Sequence, residues 1–540
     1  MEWTLHVNDN VIQCEDGANL MTVLLRNGFE LDNACGGRKI CGKCKVRVVS
    51  GGEPSAAEQR HLSSDEVAQG IRLACFVKVD RNLEVRTLAE KKTTEYKALM
   101  EGYLPDFDIA LPRDAGKYGI AVDIGTTTVA LRLLSLADGK VLGEAADVNP
   151  QKKYGLDVLS RITYEMDNPD KGKEELQKAI VDLLNDLIRK VCSTVEILSN
   201  EITRMAVSAN CTMIHMLLGV DARSIGRAPF RPILTGAQRF LGEKIGLICG
   251  EAEVYCIPAV SSYIGGDIVA GAYVCGLKNR KGNTLFIDIG TNGEIILAQN
   301  GRMDSCSCAA GPALEGMNLS CGMRGETGAI SDIFLDASRL EYSVIGGGSP
   351  KGICGSGILS GISQLLRNGI LRKSGAFLRI ERLPEGDYRR KYLEVEEDGT
   401  RSFLLTNSSE SGGKTIRISQ QDVRQVQLAK GAIRSGFQVL LSKEDIKEDE
   451  VDLVIVAGQF GSHLADTDLT DTGILPTSLR DRIEYVGNTA LSGASMALLS
   501  DSVKEEMEEL SHRIEYTELG ETEGYEYILA QCMEFPKQGK

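Results

Sequence analysis

Residues 119–134 read GIAVDIGTTTVALRLL, and residues 284–299 read TLFIDIGTNGEIILAQ. The two stretches align without a gap and share the tetrapeptide DIGT, which occupies 123–126 in the first copy and 288–291 in the second. Each copy is an apolar run, a turn and a second apolar run, which is the pattern of two strands joined by a tight turn. Two such copies in one chain predict a duplicated fold that holds a nucleotide between its halves.

The shared turn has the chemistry of a phosphate-binding site. Backbone N–H groups and hydroxyls of a Gly-Thr turn can bind phosphate oxygens, and the aspartate can bind Mg²⁺ directly or through water. We expect Asp123 and Asp288 to be the Mg²⁺-binding or water-orienting carboxylates, the alternative being that each only caps its turn. Glu294 either positions the attacking water or is a solvated residue at a strand end. The predicted phosphate contacts are Gly125, Thr126, Thr127, Gly290, Thr291 and Asn292.

Other glycine-rich stretches do not fit the common nucleotide motifs. Residues 408–415 (SSESGGKT) lack the leading glycine of a P-loop. Residues 355–361 (GSGILSG) do not have the G-x-G-x-x-G spacing and follow no clear strand, so a Rossmann site is unsupported. The longer stretch 346–361 has the pattern of a glycine loop before a helix, which either binds phosphate or packs the helix against a sheet.

Four of the first five cysteines form a second motif, in which Cys35-x5-Cys41-x2-Cys44 is followed by a distant Cys75. A [2Fe–2S] cluster needs four thiolates, supplied by a tightly folded loop and one distal cysteine. The first gap has five residues where the plant-type spacing has four. The alternative is a structural zinc site, but such sites usually have a second C-x2-C pair where this chain has Cys75 alone.

The residues around these cysteines have the pattern of a β-grasp ferredoxin. Residues 4–7 and 11–12 predict a hairpin, residues 19–27 a helix and residues 45–49 a strand. Cys14 lies in the hairpin and is expected to pack in the core. The flanking pattern therefore favours the iron–sulfur interpretation over zinc.

The chain has 15 cysteines, and a reducing compartment makes a disulfide framework improbable. Most of the cysteines outside the cluster motif lie in apolar stretches and are expected to be small core residues. Four of them lie in or beside glycine-containing loops, where a second cluster or a redox switch is the alternative to core packing. These four are Cys306, Cys308, Cys321 and Cys354.

Composition excludes several classes of function. Among 540 residues, 61 Lys and Arg stand against 76 Asp and Glu, and the formal charge is −15. No basic cluster offsets that balance, so neither nucleic acid nor an anionic membrane surface is an expected partner. No apolar run approaches ~18 residues, and the N-terminus lacks the pattern of a signal peptide. We expect a cytoplasmic protein of several domains.

The order of the motifs resembles the sugar kinase, Hsp70 and actin superfamily, whose two phosphate loops match the two DIGT turns. The resemblance implies that residues 454–461 (VIVAGQFG) are the adenosine loop, with Gly458 and Gly461 as nucleotide contacts. It also implies that Asp267 is a further acidic group near Mg²⁺. Two segments, beginning at Pro258 and Gly487, would form the connecting helices.

A ferredoxin motif joined to an actin-like ATPase resembles the reductive activators of corrinoid proteins, and the resemblance covers nearly the whole chain. It rests on the cluster loop CGGRKICGKC, on NPQKKYGLDVLSRI and SANCTMIHMLLG, and on AAGPALEG and GICGSGI. It implies a [2Fe–2S] cluster, ATP and Mg²⁺ as cofactors, and electron transfer to the Co(II) corrinoid of a methyl-transfer protein, which restores Co(I). It also implies an upstream electron donor and a homodimer. The rival hypotheses are a redox-sensing kinase and an electron-transfer adaptor that binds ATP without hydrolysing it.

We therefore predict an α/β protein with a β-grasp [2Fe–2S] ferredoxin domain and a duplicated RNase H-like ATPase domain. Within the ATPase domain, residues 384–414 have the composition of a polar insertion exposed to solvent or to a partner. Tyr154 and Arg161 are candidates for the wall of the cleft. The predicted boundaries are 1–86 for the ferredoxin domain, 87–116 for a linker, 117–281 for the first ATPase lobe and 282–540 for the second.

Overall fold

A computed structural model of the chain divides into two compact units. One unit is formed by residues 1–95 with 150–172, and the other by residues 96–149 with 173–540. None of the described helices is long and apolar enough to cross a lipid bilayer. The described residues are 2–8, 10–27, 29, 31, 37, 39, 42–49, 52–88, 100–112, 115–396, 399–409, 411–412, 415–458 and 464–537.

The N-terminal domain is a five-stranded mixed sheet with a helix packed against it. Its strands are β1 (Glu2–Val7), β2 (Asn10–Glu15), β3 (Ala18–Asn19), β4 (Lys45–Val48), β5 (Ile71–Leu73), β6 (Lys78–Val79) and β7 (Leu83–Thr87). The main sheet has the order β2-β1-β7-β4-β5, and β3 pairs with β6. Its helices are α1 (Leu20–Arg26), α2 (Ala56–Gln59) and α3 (Ser64–Ala68).

The local signals of this domain lie where the sequence predicts them. The Asn19 side chain caps α1 by accepting a hydrogen bond from the Thr22 N–H, and Asn27 ends the helix. The predicted hairpin and strand are confirmed as β1, β2 and β4. Cys14 is half-buried and packs against the core of the domain, as expected.

A buried ion pair joins α2 to the strand that leads to Cys75. The Glu58 carboxylate is fully buried and accepts hydrogen bonds from Arg72 Nε (2.9 Å) and Arg72 Nη2 (2.8 Å). It also accepts the backbone N–H of Leu73 at 2.7 Å. Because a buried carboxylate must be paired, these bonds fix β5 against α2 just before the cysteine.

The larger unit contains two six-stranded sheets. The first consists of β8 (Tyr118–Ile124), β9 (Thr128–Ser135), β10 (Val141–Val148), β11 (Ile202–Ala209), β12 (Gln238–Leu241) and β13 (Glu253–Cys256). The second consists of β14 (Asn283–Ile289), β15 (Gly293–Gln299), β16 (Arg302–Cys308), β23 (Leu453–Ala457), β24 (Ile483–Gly487) and β25 (Ile514–Tyr516). Two small sheets are formed by β17 (Ala329–Leu335), β18 (Leu340–Val344) and β19 (Gly352–Ile353), and by β20 (Leu393–Val395), β21 (Arg401–Thr406) and β22 (Ile416–Ser419).

The two large sheets share one topology. Five strands run in the order β10-β9-β8-β11-β13 in the first sheet and β16-β15-β14-β23-β24 in the second. In each sheet the three strands that come first along the chain form an antiparallel meander. The fourth strand pairs in parallel with the first, and the fifth pairs in parallel with the fourth. The duplication seen in the two DIGT stretches therefore extends to whole sheets.

Two helices pack between these sheets in one shared core, α7 (Gly266–Val274) and α11 (Thr489–Leu499). They approach so closely that a Cβ on Gly493 would lie 2.6 Å from the Cβ of Ala270. The predicted connecting helices are these two, although the first begins at Gly266 and not at Pro258. The other helices are α4 (Val158–Asp167), α5 (Gly172–Val195), α6 (Cys211–Leu218), α8 (Gly355–Arg367), α9 (Gln420–Lys443), α10 (Asp466–Asp471), α12 (Asp501–Arg513) and α13 (Tyr525–Cys532).

The interpretation of residues 384–414 as an exposed polar insertion holds for its turns and is wrong for its strands. The stretch contains β20 and β21, and Phe403 and Leu405 of β21 are buried in a hydrophobic core, with the hydroxyl side chains of Ser402 and Thr406 buried beside them. The polar residues of the turns and the two hydroxyl residues dominate the composition and hide the strand.

The second half of the predicted linker is bonded to β24 and α11 of the larger unit. The N–H of Tyr103 donates to the carbonyl of Val486 at 2.7 Å, and the N–H of Asn488 donates to the carbonyl of Glu101 at 3.0 Å. Further along, the N–H of Ala110 donates to the carbonyl of Leu499. Residues 101–110 therefore run along β24 and α11.

Candidate functional site

A cleft of about 180 Å³ lies where the two DIGT turns face each other. The hairpins β8–β9 and β14–β15 supply one turn each, and the N-terminal ends of α7 and α11 supply further parts of the wall. The duplicated sheets bring these elements together, because each turn follows the first strand of its sheet. The lining residues include Asp123, Gly125, Thr126, Thr127, Asn210, Asp267, Asp288, Gly290, Thr291, Asn292, Glu294, Glu315, Gly458 and Asn488.

The first turn is held by its own backbone and by one asparagine. The Gly125 N–H donates to the carbonyl of Thr128 at 2.9 Å. The Asn149 side chain donates to the carbonyl of Gly125, and its backbone N–H donates to the carbonyl of Thr127, both at 2.9 Å. Asn210 Nδ2 donates to the Thr126 hydroxyl at 3.2 Å. These bonds fix the two threonines at the cleft wall.

The second turn repeats the first and is approached closely by another loop. The Gly290 N–H donates to the carbonyl of Asn292 at 2.9 Å, and Asp288 pairs with Glu294 across the hairpin. Gly458 has a φ of +90°, and a Cβ there would lie 2.6 Å from Asp288 Oδ1. Only glycine fits this position, as a close approach of backbone to a ligand site requires.

Five carboxylates converge on the cleft, and their pKa values are shifted upward. Burial raises the pKa of Asp123 to about 7 and that of Asp267 to about 6. Burial, followed by the charges of Asp267 and Asp123, raises the pKa of Asp288 to about 7. The pKa of Glu294 lies well above its usual value, and that of Glu315 is also raised, both chiefly by burial. Clusters of perturbed carboxylates in a cleft are typical of functional sites.

Asn488 links Asp123 to α11. Its Nδ2 donates to Asp123 Oδ2 at 2.9 Å, and its Oδ1 accepts the Leu491 N–H at 2.8 Å, which caps the helix. The hydrogen bond lowers the pKa of Asp123 against the larger effect of burial. Asp123 therefore does more than cap its own turn.

Glu315 contacts both turns at once. Its Oε1 accepts a hydrogen bond from the Thr291 hydroxyl at 2.5 Å, and its Oε2 lies 3.5 Å from the Thr127 hydroxyl. Sequence reasoning missed Glu315, Asn488 and Asn210 as individual site residues. The available signal was that each lies in a short motif, AAGPALEG, GNTALSGA or SANC, between apolar segments.

The donor set of the cleft suits Mg²⁺ bound with its water. Within the described part of the chain, no three His, Cys, Asp or Glu side chains are close enough to hold a metal ion by themselves. Mg²⁺ commonly keeps several waters and uses one or two carboxylates together with substrate phosphates. Asp123, Asp267 and Asp288 fit that arrangement. The negative charge of Asp267 raises the pKa of the other two carboxyl groups, and a bound cation would neutralise that charge.

The N-terminal domain carries the second candidate site. Cys44 and Cys75 are 2% and 3% exposed, and the Cys75 N–H donates to Cys44 Sγ at 3.4 Å. An N–H group directed at sulfur stabilises a thiolate, so these two side chains fit a cluster ligand set. Cys35 and Cys41 lie outside the described residues, as does Gly461 of the predicted adenosine loop.

The sequence leaves three further roles open, those of Arg161 with Tyr154, of the glycine stretch before α8 and of Glu294. Arg161 is fully buried and donates to the carbonyl of Gly155, and its role at the cleft, like that of Tyr154, stays a prediction. A Cβ on Gly357 would lie 2.1 Å from the Ile330 carbonyl, so the glycine stretch before α8 packs that helix against β17. Glu294 faces the cleft and is not an outward solvated residue.

The loop cysteines are core residues in the structure. Cys306 and Cys308 are buried in the second lobe, and burial raises the pKa of both thiols well above the usual value. Cys308 Sγ donates to the carbonyl of Gly293, and Cys354 Sγ donates to that of Ile330. Protonated thiols that satisfy backbone carbonyls favour packing over a second cluster.

Three family models match the chain in sequence. The "2Fe-2S iron-sulfur cluster binding domain" matches residues 5–80, and the "RACo middle region" matches residues 118–280. The "C-terminal domain of RACo the ASKHA domain" matches residues 282–540.

Similar proteins match over most of the chain. The corrinoid activation enzyme RamQ of Eubacterium limosum is 31% identical over 532 residues, which cover 88% of each chain. The [Co(II) methylated amine-specific corrinoid protein] reductase of Methanosarcina barkeri is 24% identical over 432 residues, which cover 74% of this chain and 73% of the relative. A solved structure, "Reductive activator for corrinoid,iron-sulfur protein", aligns with a TM-score of 0.70 and 30% identity over 99% of this chain and 98% of that one. With its ferredoxin and ASKHA domains, the chain therefore belongs to the family of reductive activators of corrinoid proteins.

Proposed function

We propose that this protein is an ATP-dependent reductive activator, which transfers one electron from a [2Fe–2S] cluster to the inactive Co(II) corrinoid of a methyl-transfer protein. The product is Co(I). The observation that carries the proposal is that one chain joins a cluster-binding domain to a nucleotide cleft built from two duplicated turns. Its relatives are named for corrinoid activation and for reduction of a Co(II) corrinoid protein, which supports the same chemistry here.

The need for ATP follows from the reduction potentials. Plant-type [2Fe–2S] centres have reduction potentials of about −400 mV. Reduction of Co(II) to Co(I) demands a lower potential than such a centre supplies. Free energy from ATP must therefore favour the reduced product or prevent back-transfer. A two-lobed cleft can supply this coupling, because lobes that close on a ligand and reopen after hydrolysis change the shape offered to a partner.

The roles proposed for the cleft residues follow from their chemistry. Asp123, Asp267 and Asp288 hold the hydrated Mg²⁺ of MgATP, because their ionised forms repel one another until a cation neutralises them. Mg²⁺ neutralises charge on the phosphates when bound. The phosphate oxygens accept hydrogen bonds from the turn N–H groups and hydroxyls, and the adenosine lies along the loop that contains Gly458 and Gly461. The phosphate-binding residues are Gly125, Thr126, Thr127, Gly290, Thr291 and Asn292.

The cluster ligands that we propose are Cys35, Cys41, Cys44 and Cys75. The bound cluster supplies one electron at a time. The buried position of Cys44 and Cys75 keeps water from the sulfur atoms. An upstream electron donor and a homodimeric state, which the resemblance implies, and the cytoplasmic location expected from the sequence complete the proposal.

The proposal is tested by mixing the chemically reduced protein, MgATP and a Co(II)-loaded corrinoid protein under anaerobic conditions. We expect the visible spectrum of Co(I) to develop only with MgATP. Asp123→Asn should abolish the formation of Co(I) with MgATP. Asp138→Asn, which changes an exposed residue between β9 and β10, should leave it unchanged. Co(I) that forms equally without ATP, or no Co(I) at all, would refute the proposal. A phosphorylated small molecule would instead identify a kinase.

A further inference from the structure

Glu315 differs from the other four carboxylates of the cleft in what it contacts. Asp123 accepts a hydrogen bond from the Asn488 amide, and Asp267 accepts one from the backbone N–H of Ile268. The Glu315 carboxylate instead lies between the hydroxyls of Thr291 and Thr127, one from each DIGT turn. These threonines are the residues that the duplicated turns offer to phosphate oxygens.

The position of Glu315 is fixed by its surroundings. It ends a short 3₁₀ helix, Pro312–Glu315, which is bounded by Gly311 at φ +74° and Gly316 at φ +73°. A Cβ on Gly316 would lie 2.1 Å from the Met323 carbonyl, and the preceding Leu314 is fully buried. The carboxylate is thus held between the turns by packed backbone and not by a mobile loop.

A carboxylate and a phosphate compete for the same hydroxyl. A threonine hydroxyl has one hydrogen to donate, so the Thr291 hydroxyl can serve either Glu315 or a phosphate oxygen at one time. Both acceptors are anionic, and two anions that share a desolvated cleft repel each other. Phosphate entry between the turns must therefore break the bond between Thr291 and Glu315.

We propose that Glu315 is a latch on the nucleotide cleft: it bridges the two DIGT turns and must be displaced from Thr291 and Thr127 by the terminal phosphate of ATP. Glu315 is a positioning residue in this role, since it acts through the threonines. The inference rests on the proposed binding of ATP to this cleft. In this role Glu315 lowers the affinity for the triphosphate below the value that the two turns would give without it.

Glu315→Gln tests the latch, because glutamine keeps the shape of the side chain but removes its charge and weakens it as an acceptor. We expect this variant to bind MgAMPPNP, a non-hydrolysable ATP analogue, about tenfold more tightly than the unchanged protein, measured by isothermal titration calorimetry. A tenfold change corresponds to ~1.4 kcal/mol, which is the size of one hydrogen bond to a charged group. MgADP, which lacks the γ-phosphate, should show a smaller gain in affinity.

Two further variants separate the latch from a general loss of negative charge. Asp138→Asn removes one negative charge from the exposed turn between β9 and β10, outside the cleft, so it should leave the affinity within about twofold. Thr291→Val removes the hydroxyl at nearly constant shape. In the Thr291→Val background, Glu315→Gln should lose most of its gain, as a double-mutant cycle requires for a direct interaction.

The outcomes distinguish the latch from the function on which it rests. If the unchanged protein does not bind MgAMPPNP, the proposed function fails. If it binds and Glu315→Gln binds no more tightly, or if the gain persists in Thr291→Val, the latch is wrong while the function stands. Loss of ATP hydrolysis in Glu315→Gln at unchanged affinity would identify Glu315 as a base and also overturn the latch. Should Glu315→Gln not fold, Glu315→Asp, whose carboxylate is withdrawn by one methylene, is expected to bind more tightly and is judged by the same criteria.

Discussion

Asn488→Asp is the change that probes the electrostatics of the cleft most directly. Aspartate is as good a helix cap as asparagine, so its carboxylate still accepts the Leu491 N–H and α11 keeps its N-terminus. The donor to Asp123, now 2.9 Å away, is replaced by a second negative charge. The substitution therefore alters the ionisation of Asp123 and leaves the helix intact.

The size of the effect follows from the hydrogen bond that is lost. A bond to a charged group contributes about 1.5–3 kcal/mol, which equals a pKa shift of roughly 1–2 units. The pKa of Asp123 already lies at about 7. A further rise of that size leaves roughly one tenth to one hundredth of Asp123 ionised at pH 7, where about half is ionised in the unchanged protein.

The assay is the pH profile of MgATP hydrolysis by the isolated protein. Metal binding needs the ionised carboxylate, so activity is lost as the pH falls through the pKa. We expect the acid limb of the unchanged protein near pH 7, steepened because Asp288 has a pKa of about 7 and Asp267 of about 6. In Asn488→Asp this limb should move up by about 1–2 pH units, with roughly 5- to 50-fold lower activity at pH 7 and recovery near pH 9.

Asn488→Ala is the matched variant, since it removes both the donor and the cap. It should shift the limb in the same direction and also lower the melting temperature, because loss of an N-cap costs about 1 kcal/mol. An Asn488→Asp profile that coincides with the unchanged protein would refute the reasoning. It would mean that Asn488 acts only as a helix cap.

Three more predictions address the remaining structure. Cys75→Ala should lose iron and the visible absorption of the cluster, whereas Cys14→Ala, outside the cluster motif, should keep both, as iron analysis and absorption spectra will report. Glu58→Gln should destabilise the ferredoxin domain by about 3–5 kcal/mol, because the neutral amide removes the buried negative charge that faces the Arg72 guanidinium; thermal bleaching of the cluster would occur at a lower temperature, and an unchanged bleaching temperature would contradict the prediction. Burial raises the pKa of Asp123 and Asp288 in the folded state to about 7, so the folded protein binds more protons than the unfolded chain and, without nucleotide, loses stability as the pH rises from about 4 to 7. MgATP should consequently raise the melting temperature more at pH 8 than at pH 6, and equal shifts at both values would contradict this.

The parts of the fold that the sequence predicts are those encoded by neighbouring residues. The β8–β9 and β14–β15 hairpins follow from apolar runs around a DIGT turn, and α1 begins and ends at the asparagines that cap it. Residues 401–406 were missed because polar turns flank a short strand in which two apolar side chains are buried beside a serine and a threonine. Serine and threonine are mostly exposed in proteins, so composition over a window indicates a solvated segment.

From local pattern alone the site was predictable only as far as each turn contains its own chemistry, and the resemblance in motif order added Asp267 and Gly458, which also line the cleft. Asp123 and Asp288 lie inside the repeated motif, but their partners come from far along the chain. Asn488 is 365 residues from Asp123, and Glu315 is 188 residues from Thr127. Such contacts depend on how two sheets and α11 close around the cleft, which no local pattern encodes.

The bonds of residues 101–110 to β24 and α11 have a mechanical consequence. Glu101 accepts the backbone N–H of Asn488, the same residue whose side chain binds Asp123. The backbone of Glu101 and the carboxylate of Asp123 are thus both bonded to Asn488. Any displacement of Asn488 strains both bonds at once, so residues 101–110 cannot keep their place when the N-terminus of α11 moves.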